Sequence, residues 1–400
     1  MGDLNGTPIA QRCHISFFGC TNAGKSSLIN AITNQSVSVV SDIKGTTTDP
    51  VKKTMEILPI GAVVLFDTPG FDDETELGKL RIEKTNEILS KTDIAILTVD
   101  SKIGLKEKDF ELIELFKKKN TPYLIVYNKS DLFKRTDLKE NEIQVSSTTK
   151  ENIEELKEKI ASFGLKNSFD KVIIADKLDK NDTVILVIPI DEAAPKGRLI
   201  LPQQNTLREL LDYHHKVICI QDSELSDVLK NLKQKPKMVI TDSQVFNKIK
   251  DIVPKDIFLT SFSILFARYK GNLAELIKGV QALKTLKEND NILISEGCTH
   301  KRQCNDIGSF KIPNWIKKYT SKNFNFEFTS GGSFPLDLTK YQLVIHCGGC
   351  MLNEKEMQNR IQIAKENNVK MINYGILIAY MNGILDRSLE IFPEISEIIN

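Results

Sequence analysis

The sequence has 400 residues, of which 54 are Lys or Arg and 53 are Asp or Glu, so its formal net charge is only +1. A chain of this length exceeds what one ordinary hydrophobic core supports, and we expect two or three domains. The near-neutral charge argues against binding to nucleic acid or to a membrane surface, and no apolar run reaches the ~20 residues that span a bilayer. Seven cysteines without a visible export signal favour reduced thiols or metal ligation in a cytoplasmic protein.

The first informative motif is residues 19–26, GCTNAGKS, which fits the G-x-x-x-x-G-K-S/T pattern of a phosphate-binding loop. It follows a strand-like run at 15–18 and opens into a helix-like segment, which is the context that the motif requires. The glycines let the backbone approach phosphate oxygens, Lys25 adds a positive charge, and Ser26 offers a hydroxyl to Mg2+. The nucleotide-binding residues predicted here are Gly19, Asn22, Ala23, Gly24, Lys25, Ser26 and Ser27.

A second motif, DTPG, follows the strand-like run at 62–66. It matches the D-x-x-G turn that places a carboxylate near Mg2+ and a backbone N–H near the terminal phosphate. We therefore predict that Asp67 is a magnesium ligand and that Gly70 contacts the nucleotide.

A third motif, NKSD, begins at Asn128 and includes Lys129 and Asp131, directly after the strand-like run at 123–127. Its aspartate can accept two hydrogen bonds from guanine, a donor pair that adenine lacks, so the site should prefer GTP. Ser146 and Ser147 end a short strand where the loop behind the base is expected. Four motifs in this order predict an α/β fold, a GTPase domain with a doubly wound sheet.

This domain resembles the translation-factor-related GTPases, and in particular the branch that contains Era and TrmE. Asn22 and the segment 45–47, GTT, carry that resemblance. It implies that Thr47 meets Mg2+ in the GTP state and that Asn22 holds K+, so the implied catalytic residues are Asn22, Lys25, Thr47 and Gly70. The simpler interpretation of Asn22 is a loop residue that caps its own backbone.

Many small GTPases place a glutamine after the D-x-x-G turn to orient the attacking water. Phe71 occupies that position here and cannot form the hydrogen bond. Our hypothesis is that K+ held by Asn22 supplies the charge and that a carboxylate in the segment 72–74, DDE, positions the water. Slow hydrolysis follows from this arrangement.

The helical pattern of residues 151–163 predicts the end of the GTPase domain, with a linker at 164–170. Strand-like runs at 183–188, 217–220 and 238–240 then alternate with helical patterns. Such alternation predicts parallel strands with crossover helices. Cys219 lies inside an apolar strand and is predicted to be a core thiol.

Two strand-like runs near the end of the chain each lead into cysteines. Residues 291–295 precede 296–300, EGCTH, with Cys304 close behind, and 341–345 precede 346–350, HCGGC. If the two strands are parallel neighbours, their carboxyl ends share one edge of a sheet. Cys298, Cys347 and Cys350 would then lie together, and the two glycines between the last pair allow a tight chelating turn.

The spacing of these residues leaves the metal open, since cysteine and histidine form both tetrahedral zinc sites and iron-sulfur sites. Free thiols at strand ends are the alternative without a metal. Three thiolates suffice to anchor a cubane cluster, and one iron would then keep an exchangeable ligand such as water, histidine or a carboxylate.

Over nearly its full length the chain resembles HydF, the family of FeFe-hydrogenase maturation GTPases. The resemblance rests on Asn22 in the phosphate loop, on residues 194–203, APKGRLILPQ, and on a C-x-H motif followed by H-C-x-x-C. It implies three α/β domains, a GTPase domain at 8–166, a dimerisation domain with parallel strands at 170–268 and a 4Fe-4S domain at 269–400. Cys304 is an extra thiol.

The same resemblance implies the function, which is a scaffold or carrier that delivers the diiron subcluster of the H-cluster to apo FeFe-hydrogenase. The implied cofactors are GTP, Mg2+, K+ and a 4Fe-4S cluster, and the implied partners are the hydrogenase, the radical-SAM maturation enzymes and a second copy of the chain. Cys298, Cys347 and Cys350 would ligate the cluster, with His300 or His346 as the exchangeable fourth ligand.

Two other functions are compatible with parts of the sequence. A GTPase of RNA modification or ribosome assembly fits the GTPase branch, although the neutral charge speaks against it. A zinc-stabilised regulatory GTPase fits the cysteines.

Overall fold

The computed structural model describes residues 7–34, 51–70, 84–167, 171–190, 199–297 and 306–396. The chain divides into two compact units, Met1–Asp170 and Lys171–Asn400. Several predicted residues lie outside the described ranges. They are Thr47, Phe71 with the carboxylates 72–74, residues 194–198, Cys298, His300 and Cys304.

The first unit contains one six-stranded sheet in the order β2-β3-β1-β4-β5-β6, parallel except for the β2–β3 pair. The central strands are apolar throughout because both faces of a parallel sheet are covered; six of the seven residues of β4 are buried. The strands are β1 (Cys13–Phe18), β2 (Val51–Ile57), β3 (Gly61–Asp67), β4 (Ile94–Asp100), β5 (Tyr123–Asn128) and β6 (Glu142–Gln144). The helices are α1 (Lys25–Thr33), α2 (Glu107–Lys118) and α3 (Ile153–Asn167), with a short 3-10 helix at Ile9–Gln11 and helical residues at 84–89.

Helices cover both faces of this sheet, as the predicted doubly wound fold requires. Alternate residues of β1 point to opposite faces, so Phe17 joins one buried cluster with α1 and α3, whereas Phe18 joins another with α2. The strand order changes direction between β1 and β4, and α/β folds bind ligands at the carboxyl ends of the strands at such a point.

One boundary differs from the sequence-based prediction. Helix α3 continues to Asn167, so the predicted linker at 164–170 is helical over its first four residues. Gly164 suggested a break, but its missing side chain leaves room for Ile60, whose Cδ1 would lie 2.9 Å from an added Cβ. A glycine inside a helix therefore reflects packing here.

The second unit contains two four-stranded parallel sheets, in the orders β10-β9-β7-β8 and β12-β11-β13-β14. The strands are β7 (Thr183–Val187), β8 (Lys216–Ile220), β9 (Met238–Thr241), β10 (Phe258–Ser261), β11 (Asn291–Glu296), β12 (Asn325–Ser330), β13 (Leu343–His346) and β14 (Lys370–Asn373). The helices are α4 (Leu201–Asp212), α5 (Leu225–Asn231), α6 (Phe246–Ile249), α7 (Phe262–Tyr269), α8 (Leu273–Ile277), α9 (Gly279–Thr285), α10 (Ile312–Thr320), α11 (Glu354–Glu366), α12 (Tyr374–Met381), α13 (Leu385–Leu389) and α14 (Pro393–Ser396). Short 3-10 helices occur at Ala175–Lys177, Asp222–Glu224 and Ser243–Val245, and a π-helix at Ile307–Lys311.

One buried cluster extends through both sheets of the second unit. Asn373, at the end of β14 in the second sheet, is hydrogen-bonded to the helix that follows β10 of the first sheet. Its Oδ1 accepts a hydrogen bond from the N–H of Ile376 at 2.8 Å and so caps α12, while its Nδ2 donates to the carbonyl oxygen of Ser263 in α7 at 2.9 Å. The boundary predicted at 268/269 falls in the last turn of α7.

Cys219 is exposed on β8, so the prediction of a core thiol is wrong. Strand β8 is at the edge of its sheet, where one face and one side lack the cover that a central strand has. The five described cysteines are all free.

The contact between α9 and β14 gives a test of the shared core. A Cβ added at Gly279 would lie 2.4 Å from the carbonyl oxygen of Met371 and 2.9 Å from the Cβ of Ile372. We expect Gly279→Ala to destabilise the second unit by about 1–3 kcal/mol, because a backbone must shift to admit the methyl group. Thermal denaturation followed by circular dichroism measures the change. Gly348→Ala is the matched control, since nothing lies within 4 Å of its added Cβ, and equal melting temperatures for the two variants would contradict the prediction.

Candidate functional site

The loop between β1 and α1 has backbone geometry that depends on two glycines. Gly19 has φ 134°, and an added Cβ would lie 2.2 Å from the carbonyl oxygen of Thr98. Gly24 has φ 91°, and its added Cβ would lie 2.3 Å from Nδ2 of Asn128. Both conformations disfavour any other residue, so the glycines of the motif are required by the loop itself.

Lys25 begins α1 and is 8% exposed. Its Nζ donates to the carbonyl oxygens of Gly19 and Cys20 at 2.9 and 3.0 Å. The ammonium group thus lies across the loop, where phosphate oxygens are alternative acceptors for the same N–H groups. Ser26 is exposed, and its hydroxyl donates to the carboxylate of Asp67 at the end of β3. The two predicted magnesium ligands of the described chain are therefore in contact.

Asn128 at the end of β5 is fully buried and links three loops. Its Nδ2 donates to the carbonyl oxygens of Ala23 and Gly24 at 3.3 and 3.4 Å, and its Oδ1 accepts the N–H of Ser147 at 3.1 Å. It also accepts the N–H of Lys129 at 2.8 Å. The first residue of the NKSD motif thus holds the phosphate loop and the loop behind the base in register.

Asp131 accepts a hydrogen bond from the hydroxyl of Ser146 at 2.6 Å, which orients one carboxylate oxygen. Lys129 donates from Nζ to the carbonyl oxygen of Asn22 at 2.9 Å. Asn22 itself is exposed with φ 64°, a conformation that asparagine tolerates better than most residues. Ser27 is exposed on the first turn of α1, and Gly70 follows Asp67 by three residues at the end of the described segment.

Sequence reasoning missed Asp100, which ends β4. Its carboxylate pairs with Nζ of Lys129 at 2.7 Å. Partial burial by itself raises the pKa of Asp100, but the hydrogen bond from Lys129 and backbone N–H groups outweigh it, and the net pKa is lowered. The signal was available, because Asp100 is the first charged residue after a strand-like run beside the phosphate loop.

The second site lies at the carboxyl ends of β11 and β13. These strands are parallel neighbours, which is the condition stated above for bringing their carboxyl ends to one edge, with Ser295 opposite His346. The Sγ of Cys347 accepts hydrogen bonds from the N–H groups of Gly297 at 3.1 Å and Gly349 at 3.4 Å. Gly297 directly precedes Cys298 in the sequence.

The thiols of Cys347 and Cys350 are half-buried and lie in one short loop after β13. Burial raises the pKa of Cys347 to about 11 and raises that of Cys350, so both stay protonated at neutral pH unless a metal ion replaces the proton. Two N–H groups directed at one sulfur favour the thiolate form once it exists. Within the described residues, no group of three or more His, Cys, Asp or Glu side chains is arranged to hold a metal ion. The third predicted thiol, Cys298, lies outside that part of the chain.

Lys270 contacts the loop that carries Cys347 and Cys350, and the sequence analysis did not identify it. It follows α7, is 4% exposed, and donates from Nζ to the carbonyl oxygens of Cys350 at 3.1 Å and Leu352 at 2.7 Å. Burial lowers the pKa of Lys270 to about 8, although the nearby Cys350 and Glu354 act in the opposite direction. A cation at this position would offset the negative charge of any thiolate that forms at Cys350.

His346 is fully buried and both of its ring nitrogens have partners. Nδ1 lies 2.7 Å from the carbonyl oxygen of Cys347, and Nε2 lies 3.0 Å from Nη1 of Arg360. Burial, together with the Arg360 charge, lowers the pKa of His346 to about 3, so the ring is neutral. In this arrangement Nε2 could reach a metal only after the guanidinium group moved away.

None of the described helices combines the length and apolar character needed to cross a membrane.

Comparison with known families identifies all three segments. Residues 14–129 match the model of a 50S ribosome-binding GTPase, residues 173–271 the hydrogen maturase F dimerization domain, and residues 274–391 the hydrogen maturase F tetramerization domain. The two hydrogen maturase F models together cover more than half of the chain. We predicted the last segment to be a cluster-binding domain, whereas the family model that matches it is named for tetramerization.

Curated relatives match about two fifths of the chain. The tRNA modification GTPase MnmE of Clostridioides difficile (strain 630) is 33% identical over 161 residues, 38% of this chain and 34% of its own. MnmE of Thermoanaerobacter sp. (strain X514) is 33% identical over 165 residues, 39% of this chain and 35% of its own. The chain therefore spans about a third of the length of these relatives. Their similarity agrees with the predicted TrmE-Era branch of the GTPase domain.

Similar solved structures include Era of Aquifex aeolicus, with 18% identity, 52% of this chain and 93% of that chain covered, and a TM-score of 0.33. The cytosolic domain of FeoB from T. maritima has 23% identity, covers 42% of this chain and 69% of that chain, and has a TM-score of 0.32.

A GTPase domain is followed by both hydrogen maturase F domains in one chain, and the chain belongs to the HydF family of hydrogenase maturation GTPases.

Proposed function

We propose that this protein hydrolyses GTP, binds a 4Fe-4S cluster, and serves as the scaffold or carrier that assembles or delivers the diiron subcluster of the H-cluster to apo FeFe-hydrogenase. Radical-SAM maturation enzymes would supply that subcluster. The observation that carries the proposal is the hydrogen bond from Gly297 to the sulfur of Cys347, in a chain with HydF domains. It brings the residue before Cys298 next to the C-x-x-C pair.

In the nucleotide site, each of the described residues would have a defined role in binding. Ser26 and Asp67, which are in contact, would bind Mg2+. Lys25 would move from its two carbonyl acceptors to phosphate oxygens, and Asp131, oriented by Ser146, would accept hydrogen bonds from guanine. Thr47 would join the magnesium site in the GTP state, and Gly70 would contact the terminal phosphate.

For the cluster, Cys298, Cys347 and Cys350 would be the protein ligands, and His300 or His346 the exchangeable fourth. When bound, the cluster would supply an iron at which an external group attaches. The protein groups around it would direct two N–H groups at the sulfur of Cys347 and hold the Lys270 ammonium against the carbonyl oxygens of the loop.

We also propose a homodimer that forms through the edge strand β8. The hydrogen bonds from Lys216 N–H to Asp182 and from Ile188 N–H to Ile220 show that alternate residues of β8 face β7. The N–H of Cys219, between them, therefore points to the outer side. No strand pairs with that side in the part of the chain that the structure describes, and unpaired edges are suited to pairing with a second copy.

The cluster assignment is tested by Cys347→Ser. After anaerobic reconstitution, we expect this variant to lose the broad visible absorption and most of its bound iron and sulfide, because serine is a poor ligand for the cluster. Protein loaded by the maturation enzymes should activate apo-hydrogenase, whereas loaded Cys347→Ser should not.

The matched control is Cys219→Ser, which changes an exposed thiol on β8 and should retain iron, sulfide and activation. Full iron and sulfide content in Cys347→Ser would disprove the ligand assignment. Zinc in place of iron in anaerobically purified protein would instead favour a zinc-stabilised regulatory GTPase.

The role of potassium is tested by comparing GTP hydrolysis in KCl and NaCl. We expect faster hydrolysis in KCl, because Asn22 would hold K+ beside the phosphates where Phe71 leaves no glutamine. Asn22→Gly removes the amide and accepts the same positive φ, so the two salts should then give equal rates. Asn34→Gly, also at positive φ but at the end of α1, should keep the difference. Equal rates for the unchanged protein would refute potassium assistance.

The dimer is tested by Cys219→Pro, which removes an outward N–H and leaves the bonds to β7 in place. We expect a lower molar mass of the assembly in sedimentation or light-scattering measurements. Cys219→Ser, which keeps the N–H, should assemble normally. An unchanged molar mass for the proline variant would place the interface elsewhere.

A further inference from the structure

Arg360 is one of the largest fully buried side chains of the second unit, with 2% exposure. It lies on α11, beside the carboxyl ends of three parallel strands. One arm of its guanidinium group, Nη1, donates to Nε2 of His346 at 3.0 Å, next to the hydroxyl of Ser295 at 3.5 Å. The other arm, Nη2, donates to the carbonyl oxygen of Gly331 at 2.5 Å and to Glu356 at 2.8 Å.

The partners of His346 determine its tautomer. A carbonyl oxygen only accepts hydrogen bonds, so Nδ1, which faces the carbonyl of Cys347, carries the proton. A guanidinium group only donates, so the lone pair of Nε2 is the acceptor for Arg360. Both ring nitrogens are therefore committed to protein partners, and the lone pair that a metal would need is already used.

The guanidinium group is firmly held in this position. Glu356 lies one helical turn earlier on α11 and forms an ion pair with it, with side-chain exposures of 14% and 2%. The ring of Phe334 covers it with a centroid distance of 5.1 Å. Moving Arg360 away from His346 would separate a buried charge from its partners, which is costly.

We propose that Arg360 is a positioning residue that withholds His346 from the cluster. In this role His346 fixes the backbone of Cys347 through Nδ1 and does not ligate iron. The exchangeable iron position is thereby left to a ligand other than His346. This inference rests on the proposed cluster site. Of the two histidines proposed there as the exchangeable fourth ligand, it leaves His300.

The unchanged protein gives the first test. In the reconstituted and reduced full-length protein, we expect no imidazole nitrogen coupling from His346 in pulsed electron paramagnetic resonance spectra. His346→Gln should therefore remove no nitrogen coupling from the spectrum. A nitrogen coupling that disappears in His346→Gln would overturn the proposal, whereas failure to bind iron and sulfide at all would count against the proposed cluster and not against Arg360.

Removal of the guanidinium group gives the second test. Arg360→Met should free Nε2 of His346, so a new imidazole coupling should appear and should vanish in the double variant Arg360→Met with His346→Gln. Arg360→Lys keeps a buried cation and a single donor, and should show less of the new coupling. A cluster that forms in Arg360→Met without any imidazole coupling would contradict the withholding role.

A third measurement needs neither a cluster nor a variant of Arg360. With 15N-labelled histidine, of which the chain has five, the resonances of His346 are assigned by their absence in His346→Gln. We expect a protonated Nδ1 and an unprotonated Nε2 in the metal-free protein. The opposite tautomer would overturn the proposal even if every Arg360 variant failed to fold.

Discussion

The parallel register of β11 and β13 is the constraint on which the cysteine loop of the second unit depends. Because Ser295 stands opposite His346, β11 and β13 end within one residue of each other at the same edge of the sheet. The backbone of Gly297 then reaches the sulfur of Cys347, although 50 residues separate them in sequence. A slip of one residue would turn the side chains to the other face of the sheet and would separate the two cysteine motifs.

The nucleotide half uses the same principle in its own sheet. The carboxyl ends of β1, β3, β4 and β5 supply the phosphate loop, Asp67, Asp100 and Asn128. Asn128 connects these loops because one amide group both donates and accepts. In each unit, a buried polar side chain with several partners holds together the loops of the candidate site. Asn128 has this part in the first unit, and Arg360 has it in the second.

Much of this architecture could be predicted from the sequence. Motifs at strand ends located the GTPase site, and strand-like runs identified nine of the fourteen strands in the described part of the chain, including β11 and β13. A tenth, β6, was expected as a short strand ending at Ser147, but it ends at Gln144. The prediction missed β2, β10, β12 and β14. Strand β12, NFEFTS, is an edge strand with exposed polar positions, and its pattern has little apolar signal because only part of it is buried.

The residues that sequence reasoning missed have a common physical origin. Lys270 and Arg360 are buried, and their roles come from hydrogen bonds that only the folded chain forms. Neither residue belongs to a motif of fixed spacing. Lys270 lies 80 residues before the carbonyl that it contacts, and only the folded chain brings the two together. Cys219 was placed in the core because its neighbours are apolar, but β8 is an edge strand. Apolar composition alone does not distinguish an edge strand from a central one.

The continuous core of the second unit links the segment that matches the dimerization model to the C-x-x-C loop. Helix α7 belongs to the segment that matches the dimerization model, yet its following residue, Lys270, supports the C-x-x-C loop, and its Ser263 accepts a hydrogen bond from the cap of α12. Cutting the chain between the two matched segments, 173–271 and 274–391, would expose the apolar residues of their common core. It would also separate Lys270 from the C-x-x-C loop. The segment that matches the dimerization model and the C-x-x-C loop therefore share one buried core, in which loss of packing at either end weakens the other.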